Sequence, residues 1–326
     1  MPGCSDNPIA HPSHGMRFNY ALMTAAYNED AYIEKTLKSV VSQTVRPVRW
    51  VVVSDSSSDR TDEIVQAYAA KHNFIRFLRV TKTPGRDFQS KIVALRKGAH
   101  LLDGVAYDFI GNVDADLSLE PKYFEELLSR FEKDPRLGLT GGFVYEDHGS
   151  GFQTCWFNSI NDVGHAAQLV RRECYEQIGG YQILKYGGED WLAQTCAKMH
   201  GWNVQSVPEL KIFHYRPVGT GSRAFRNSYR QGKMDYALGS DPLFEVIKCF
   251  RRFREKPFLL SSFIRLFGFI SHGLSGEPRA VPEDAAAFLR REQRQRVTGL
   301  FSRLSLPINT LPKTRTASTL EGEREQ

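Results

Sequence analysis

The feature that most constrains this chain is a regular alternation along its first 120 residues. Apolar runs of strand length take turns with segments whose apolar residues recur at helical spacing. Residues 19–26, 48–54, 74–80 and 107–113 read as strands. The second of them, VRWVVVS, is nearly continuous in apolar character, as a strand covered on both faces should be. Between the first two, Ile33, Leu37, Val40 and Val41 share one helical face, with Asn28 as the expected N-cap. Asp59 caps a second helix with Asp62 in its first turn, and Ile64, Val65 and Tyr68 on its apolar side. A polar loop over 81–90 leads to a third helix over Lys91–Leu102. Alternation of this kind predicts an α/β fold with a mostly parallel sheet and right-handed crossovers. Further on, Pro121 opens a helix carrying Tyr123, Phe124, Leu127, Leu128 and Phe131. Residues 137–145, 202–207 and 210–213 read as further strands.

At 326 residues and 41% hydrophobic content, the chain can bury a sizeable core. The excess of positive charge, +6 net, is too modest and too local to imply nucleic acid. Five scattered cysteines without metal-ligand spacing read as reduced thiols. The first 17 residues lack the apolar centre of a signal peptide, so a cytoplasmic location is expected.

Chemistry concentrates where strands end. The fourth strand runs into Asp114-Ala115-Asp116, and residues i and i+2 of an extended chain point the same way. Asp55 ends the second strand, so carboxylates from separate strands converge at the carboxyl edge of the sheet, where such folds bind ligands. Paired hard oxygens there suit a divalent cation sharing its other positions with water and phosphate. No Gly-x-Gly-x-x-Gly follows the first strand and no P-loop occurs, which counts against a dinucleotide domain or a P-loop nucleotidase. A phosphate ligand would rest on Lys91 or Arg86. A second acidic pair, Glu189-Asp190, opens a helix after Gly187-Gly188. Favourable interaction with the helix dipole is one ordinary role for such a pair.

Ala26-Tyr27-Asn28-Glu29, Val53-Ser54-Asp55-Ser56-Ser57-Ser58-Asp59-Arg60-Thr61 and Val113-Asp114-Ala115-Asp116 together resemble the family 2 glycosyltransferases, over roughly residues 19–215. The resemblance implies a GT-A fold and sugar transfer from a nucleoside-diphosphate donor, with a UDP-sugar expected. It implies that Glu29 and Asp55 lie against the base, with Ala26 and Tyr27 lining that pocket. Asp114 would contact the ribose side, and Asp116 a Mg²⁺ or Mn²⁺ bridging the diphosphate. One departure is Ser54-Asp55-Ser56, where the family more often has two aspartates and a glycine. The segment from Arg171 to Tyr181 followed by Glu189-Asp190-Trp191 resembles the family's acceptor side, which favours a catalytic role for the acidic pair.

Inverting transfer needs a carboxylate to take the proton of the incoming hydroxyl. Asp190 is the expected base, with Glu189 positioning the acceptor. His214 is a candidate metal ligand and, equally, an ordinary buried histidine. Residues 219–223 resemble a mobile lid, and Arg216, Arg223, Arg226 and Arg230 are candidates for phosphate contact. The Gln-x-x-Arg-Trp motif of the processive synthases is absent, which favours single addition to a saccharide or lipid-linked acceptor. Two other classes stay open on the residues: a sugar nucleotidyltransferase, although its Gly-rich basic loop is missing, and a non-catalytic nucleotide-sugar-binding protein. The sequence carries no signal for oligomeric state.

The expected organisation is a disordered segment over 1–18, a catalytic domain over 19–240, a basic amphipathic helical extension over 241–300, and a disordered tail over 301–326. Within the extension, five cations and one anion over 248–256 precede a 13-residue apolar run interrupted by Ser261, Ser262, Arg265 and Gly268 on one helical stripe. That run is short of the roughly 20 residues a bilayer span needs. It fits either a helix packed on the protein or peripheral contact of residues 248–270 with an anionic membrane, on the inner face.

Overall fold

A computed structural model of the protein describes residues 18–81, 89–155, 157–216, 224–251 and 260–304. Arg86, Arg223, the lid segment 219–223, the basic residues 252–256, and both chain ends fall outside the described residues. The first half runs β1 (Tyr20–Ala26), α1 (Ile33–Val41), β2 (Arg49–Asp55), α2 (Thr61–Lys71), β3 (Ile75–Val80), α3 (Ser90–Gly98), β4 (Phe109–Val113), β5 (Leu117–Leu119) and α4 (Tyr123–Lys133). It continues through β6 (Leu137–Asp147), β7 (Phe152–Thr154), β8 (Ala167–Arg171), α5 (Arg172–Gln177), α6 (Glu189–Met199) and β9 (Asn203–His214). Among the described residues four helices follow: α7 (Ala224–Ala237), α8 (Pro242–Arg251), α9 (Leu260–Leu274) and α10 (Glu283–Leu304).

One sheet holds the strands in the order β3-β2-β1-β4-β8-β6-β9-β5, with β7 on β6. The block β3-β2-β1-β4 is parallel. Beyond it, β8 runs antiparallel to both β4 and β6, while β6 and β9 are parallel. Residues alternate between two cores. Tyr20, Leu22, Trp50 and Val52 face α1, α2 and α4, whereas Ala21, Met23, Val51 and Val53 face α3, α5 and α6. Inside the first core, Trp50 Nε1 donates to Thr24 Oγ1, which donates to the Val113 carbonyl.

The short β5 sits at the far end of the strand order yet is only three residues from β4. The sheet therefore curls, and Leu117 exchanges hydrogen bonds with the Thr36 hydroxyl of α1. Residues 114–116 join β4, in the middle of the sheet, to β5 at its end, which places them in the mouth of the crevice.

Several local expectations are revised. Asn28 is not a helix cap: it holds left-handed backbone (φ +54°), and α1 starts only at Ile33 with no side-chain cap. The third helix stops at Gly98 and finishes as a 3-10 turn over Ala99–Leu102. The two strands read over 202–213 are one, β9. Its pairing with β6 slips between Gly142 and Phe143, and that irregularity absorbs the Pro208-Glu209 interruption.

Candidate active site

The parallel block brings the ends of β1, β2 and β4 to one edge. There the loop 27–30 is stitched to the loop 55–62. Ser58 N–H donates to Asn28 Oδ1 at 2.8 Å, Glu29 N–H to Thr61 Oγ1 at 2.7 Å, and Asp30 N–H to Asp59 Oδ2 at 3.0 Å. Ser56 also has positive φ (+61°), costly for a non-glycine residue, and its hydroxyl is tied to the Val80 carbonyl. The hydroxyl-rich run after Asp55 thus serves to fix loop shape.

These loops frame a cavity of about 240 Å³ lined by Ala26, Tyr27, Glu29, Asp55, Lys91, Asp114, Asp116 and His214, with Ala25, Ser90 and Ala115. Eight residues singled out in the sequence as donor or metal contacts share this one space. Arg216 closes its side: it pairs with Glu29, lies 3.7 Å from Asp116 Oδ2, and covers the Tyr32 ring. Glu29 is pushed up to about 7 by burial and by Asp116, with Arg216 pulling the other way. A diphosphate would have to compete with Glu29 for the Arg216 guanidinium.

Pairing of Leu117 with His214 sets the next contact, Asp116 Oδ1 to His214 Nε2 at 3.1 Å. Burial opposes the charge on both, yet each stabilises the other, so Asp116 titrates below the ordinary carboxylate range and His214 above the ordinary imidazole one. Among the described residues no group of three or more His, Cys, Asp or Glu side chains is arranged to hold an ion. One carboxylate and one imidazole fit an ion that leaves positions open for phosphate oxygens, and the mixed O/N pair suits Mn²⁺.

A second cavity of about 710 Å³ opens beside the first, between α6 and the C-terminal helices, and holds Glu189 and Asp190. Asp114 lines both cavities. Gly188 begins α6 with φ +94°, and a Cβ there would meet Leu238 at 2.8 Å, so glycine alone lets the helix start this close to the helical layer. Burial opposes ionisation of Glu189, but His165, 3.5 Å away, and Lys91 hold it down at about 2. Asp190 is pushed the other way, by burial first and by the charge of Glu189 second.

Lys91 joins the halves. Its ammonium donates to Asp114 Oδ1 at 2.5 Å, and Glu189 and Asp190 add to the field that keeps it charged against burial. Asn112 Nδ2 donates to Asp114 Oδ1 and to the His165 carbonyl. Sequence reading missed His165 and Asn112. A lone histidine in an unassigned loop before β8 offers no spacing, and Asn112 reads as one more strand residue. Of the other arginines considered for phosphate, Arg226 is exposed on α7, and Arg230 lines the second cavity while donating to the Tyr186 carbonyl.

The family model described as glycosyl transferase family 2 matches residues 22–176. Those residues are similar to glycosyl transferase family 2 over just under half of the chain. A poly-beta-1,6-N-acetyl-D-glucosamine synthase of Staphylococcus epidermidis is 28% identical over 122 residues, 37% of this chain and 27% of that protein. The putative glycosyltransferase EpsH of Bacillus subtilis is 29% identical over 108 residues, 33% of this chain and 29% of that protein. The match thus spans under a third of these curated relatives. Among solved structures, S. aureus TarS 1-349 in complex with UDP-GlcNAc aligns with TM-score 0.52 and 16% identity, covering 79% of this chain and 73% of that one. The mannosyltransferase PcManGT of Pyrobaculum calidifontis, in complex with GDP-Man and Mn2+, aligns with TM-score 0.50 and 16% identity, covering 92% and 87%. These likenesses show the fold: a mixed α/β GT-A structure with a curled sheet flanked by helices.

Proposed function

We propose that the protein is an inverting glycosyltransferase. It moves a sugar from a nucleoside-diphosphate sugar, with UDP as the expected nucleotide, to a hydroxyl of a saccharide or lipid-linked acceptor in glycan synthesis. The observation that carries this reading is that Asp114 belongs to two adjoining cavities, one with Asp116, His214, Glu29 and Asp55, the other with Asp190. The TarS and PcManGT structures, in complex with UDP-GlcNAc and with GDP-Man, support a nucleotide-sugar donor, and the likeness to the S. epidermidis poly-beta-1,6-N-acetyl-D-glucosamine synthase supports a saccharide acceptor.

Glu29, Asp55, Ala26 and Tyr27 bind the nucleoside in the smaller cavity, while Asp114, held by Lys91 and Asn112, faces the ribose. Asp116 and His214 would hold a divalent ion, Mn²⁺ or Mg²⁺. When bound, such an ion neutralises charge gathering on the departing diphosphate. In the larger cavity Glu189, ionised and fixed beside His165, orients the acceptor. The acceptor oxygen forms a bond to the anomeric carbon as Asp190 accepts the hydroxyl proton, and the bond from that carbon to the diphosphate oxygen breaks. The nucleoside diphosphate leaves with the electron pair. The raised titration of Asp190 makes it a stronger base than an exposed aspartate.

The test is a thermal-shift screen of nucleotide sugars with and without Mn²⁺. A donor at about 100 times its dissociation constant stabilises a folded protein by roughly 2.7 kcal/mol, so one donor should stand out and its shift should grow with Mn²⁺. A flat response to every nucleotide sugar contradicts the reading.

A further inference from the structure

Helix α9 is built inside out. The side it turns to the protein carries Ser262, Arg265, Gly268 and His272, with Phe269 the one large apolar residue among its buried positions. Leu260, Phe263, Phe267, Ile270 and Leu274 are 51%, 59%, 63%, 48% and 84% exposed. Steps of three and four residues make those five a single stripe. Rotation cannot hide them, because the inner face is pinned twice. Gly232 of α7 lies against the Arg265 carbonyl and Gly268 against the Tyr229 carbonyl, so closely that no Cβ fits at either. Arg265 is locked by Asp235, Glu245 and Gln231.

Charge decides what such a face meets. Arg251, exposed at the end of α8, is followed in the sequence by Arg252, Arg254 and Lys256 against Glu255 alone, leading straight into α9. No aspartate or glutamate occurs from Lys256 to Gly276. A second copy of the chain pairing through α9 would bring two such basic segments together. An anionic bilayer meets both demands, accepting the apolar stripe at the acyl boundary and attracting the cations at its headgroups. With 15 residues, α9 is about 22 Å long, shorter than a hydrocarbon core of roughly 30 Å. No helix among the described residues is long and apolar enough to cross a membrane.

We propose that the outward face of α9 is a docking surface on which the protein lies flat against an anionic lipid bilayer. Arg265 reaches from the inner side of the same helix into the larger cavity, so docking holds that cavity about one helix diameter from the headgroups. The surface stands on α9 itself and does not depend on the transferase reading.

The full chain is floated with vesicles of equal parts phosphatidylcholine and phosphatidylglycerol, and with phosphatidylcholine alone, across a salt series. Its mass without lipid is measured by light scattering. The wild type should float with the anionic vesicles, lose binding as salt rises, and bind neutral vesicles weakly. Phe263→Gln with Phe267→Gln should lower the bound fraction at least tenfold at an unchanged melting temperature. No flotation with anionic vesicles at low salt, equal binding to neutral ones, or flotation untouched by the double substitution overturns the proposal. A wild type that binds no vesicle but is a dimer, dispersed to monomers by the double substitution, assigns the face to a second copy instead.

Discussion

Replacing Arg265 by methionine is a severe test of how the larger cavity is supported. The guanidinium, 7% exposed, donates from Nε to Asp235 Oδ2 at 3.0 Å and to Glu245 Oε1 at 3.0 Å, from Nη2 to Asp235 Oδ2 at 2.5 Å, and from Nη1 to Gln231 Oε1 at 2.6 Å. Lys248 supplies the second cation, 3.1 Å from Asp235 Oδ1 and 2.6 Å from Glu245 Oε2. Two buried acids thus balance two cations across α7, α8 and α9. Removing Arg265 leaves two anions on one lysine, the situation in which breaking a buried pair costs about 3–5 kcal/mol. At roughly 2 °C per kcal/mol for a chain of this size, melting should fall by about 6–10 °C. Burial opposes the charge on Asp235, but Lys248 and Arg265 hold its titration below the ordinary range. That stabilisation is therefore present above the unfolded-state pKa and drains as pH falls through the folded one. Adding Asp235→Asn to Arg265→Met removes the surplus anion and should recover part of the loss. The assay is calorimetry near neutral pH, with the double variant beside the single. A single variant melting within a degree or two of wild type refutes the reasoning, since it would mean that solvent already screens the cluster.

Three further outcomes follow from the site. Asp116→Ala should weaken Mn²⁺-dependent donor binding by more than the roughly 10–100-fold typical of outer-shell changes; calorimetric titration with donor and Mn²⁺ reads it, and an unchanged isotherm removes Asp116 from that role. Glu189→Gln deletes a charge that helps raise Asp190, so the acid limb of the turnover profile should move to lower pH, and a limb that stays put or moves up contradicts the pairing. Gly188→Ala places a methyl against Leu238 on a left-handed backbone, and should lower the melting temperature and raise the acceptor KM more than the donor KM.

Much of the fold was legible because the first half obeys simple periodicities. β1, β2 and β4 carry apolar residues toward cores on both faces, and their helices carry one apolar stripe each. The second half resisted for physical reasons. β8 is five residues long with the polar Gln168 as its second residue, and β9 is continuous only because a slip in its pairing tolerates Pro208. Asn28 looked like a cap because asparagine suits both an N-cap and a left-handed turn, and only its contacts with Ser57 and Ser58 separate the two. Asp55, Asp114 and Asp116 could be read in the sequence because strand ends in a parallel sheet must meet at one edge, whereas Ala26, Tyr27 and Glu29 came from the family resemblance. His165 could not, since its role comes from a fold-back onto Glu189. In α9 the polar stripe was visible, but an amphipathic pattern does not state which face turns inward. The buried acids of α7 and α8 decide that.

The central claim is that a base in one cavity serves a donor in the next. Asp190→Asn isolates it, because the replacement keeps size while removing the proton acceptor. Ionised Asp190 is held in the folded protein against burial and against Glu189, so its neutral replacement should leave stability unchanged or raise it. With the donor found by thermal shift, the variant should bind that donor as the wild type does. Its turnover should fall by roughly 10²–10⁴-fold, the typical contribution of a general base. Transfer at the wild-type rate by a folded Asp190→Asn protein would contradict the account.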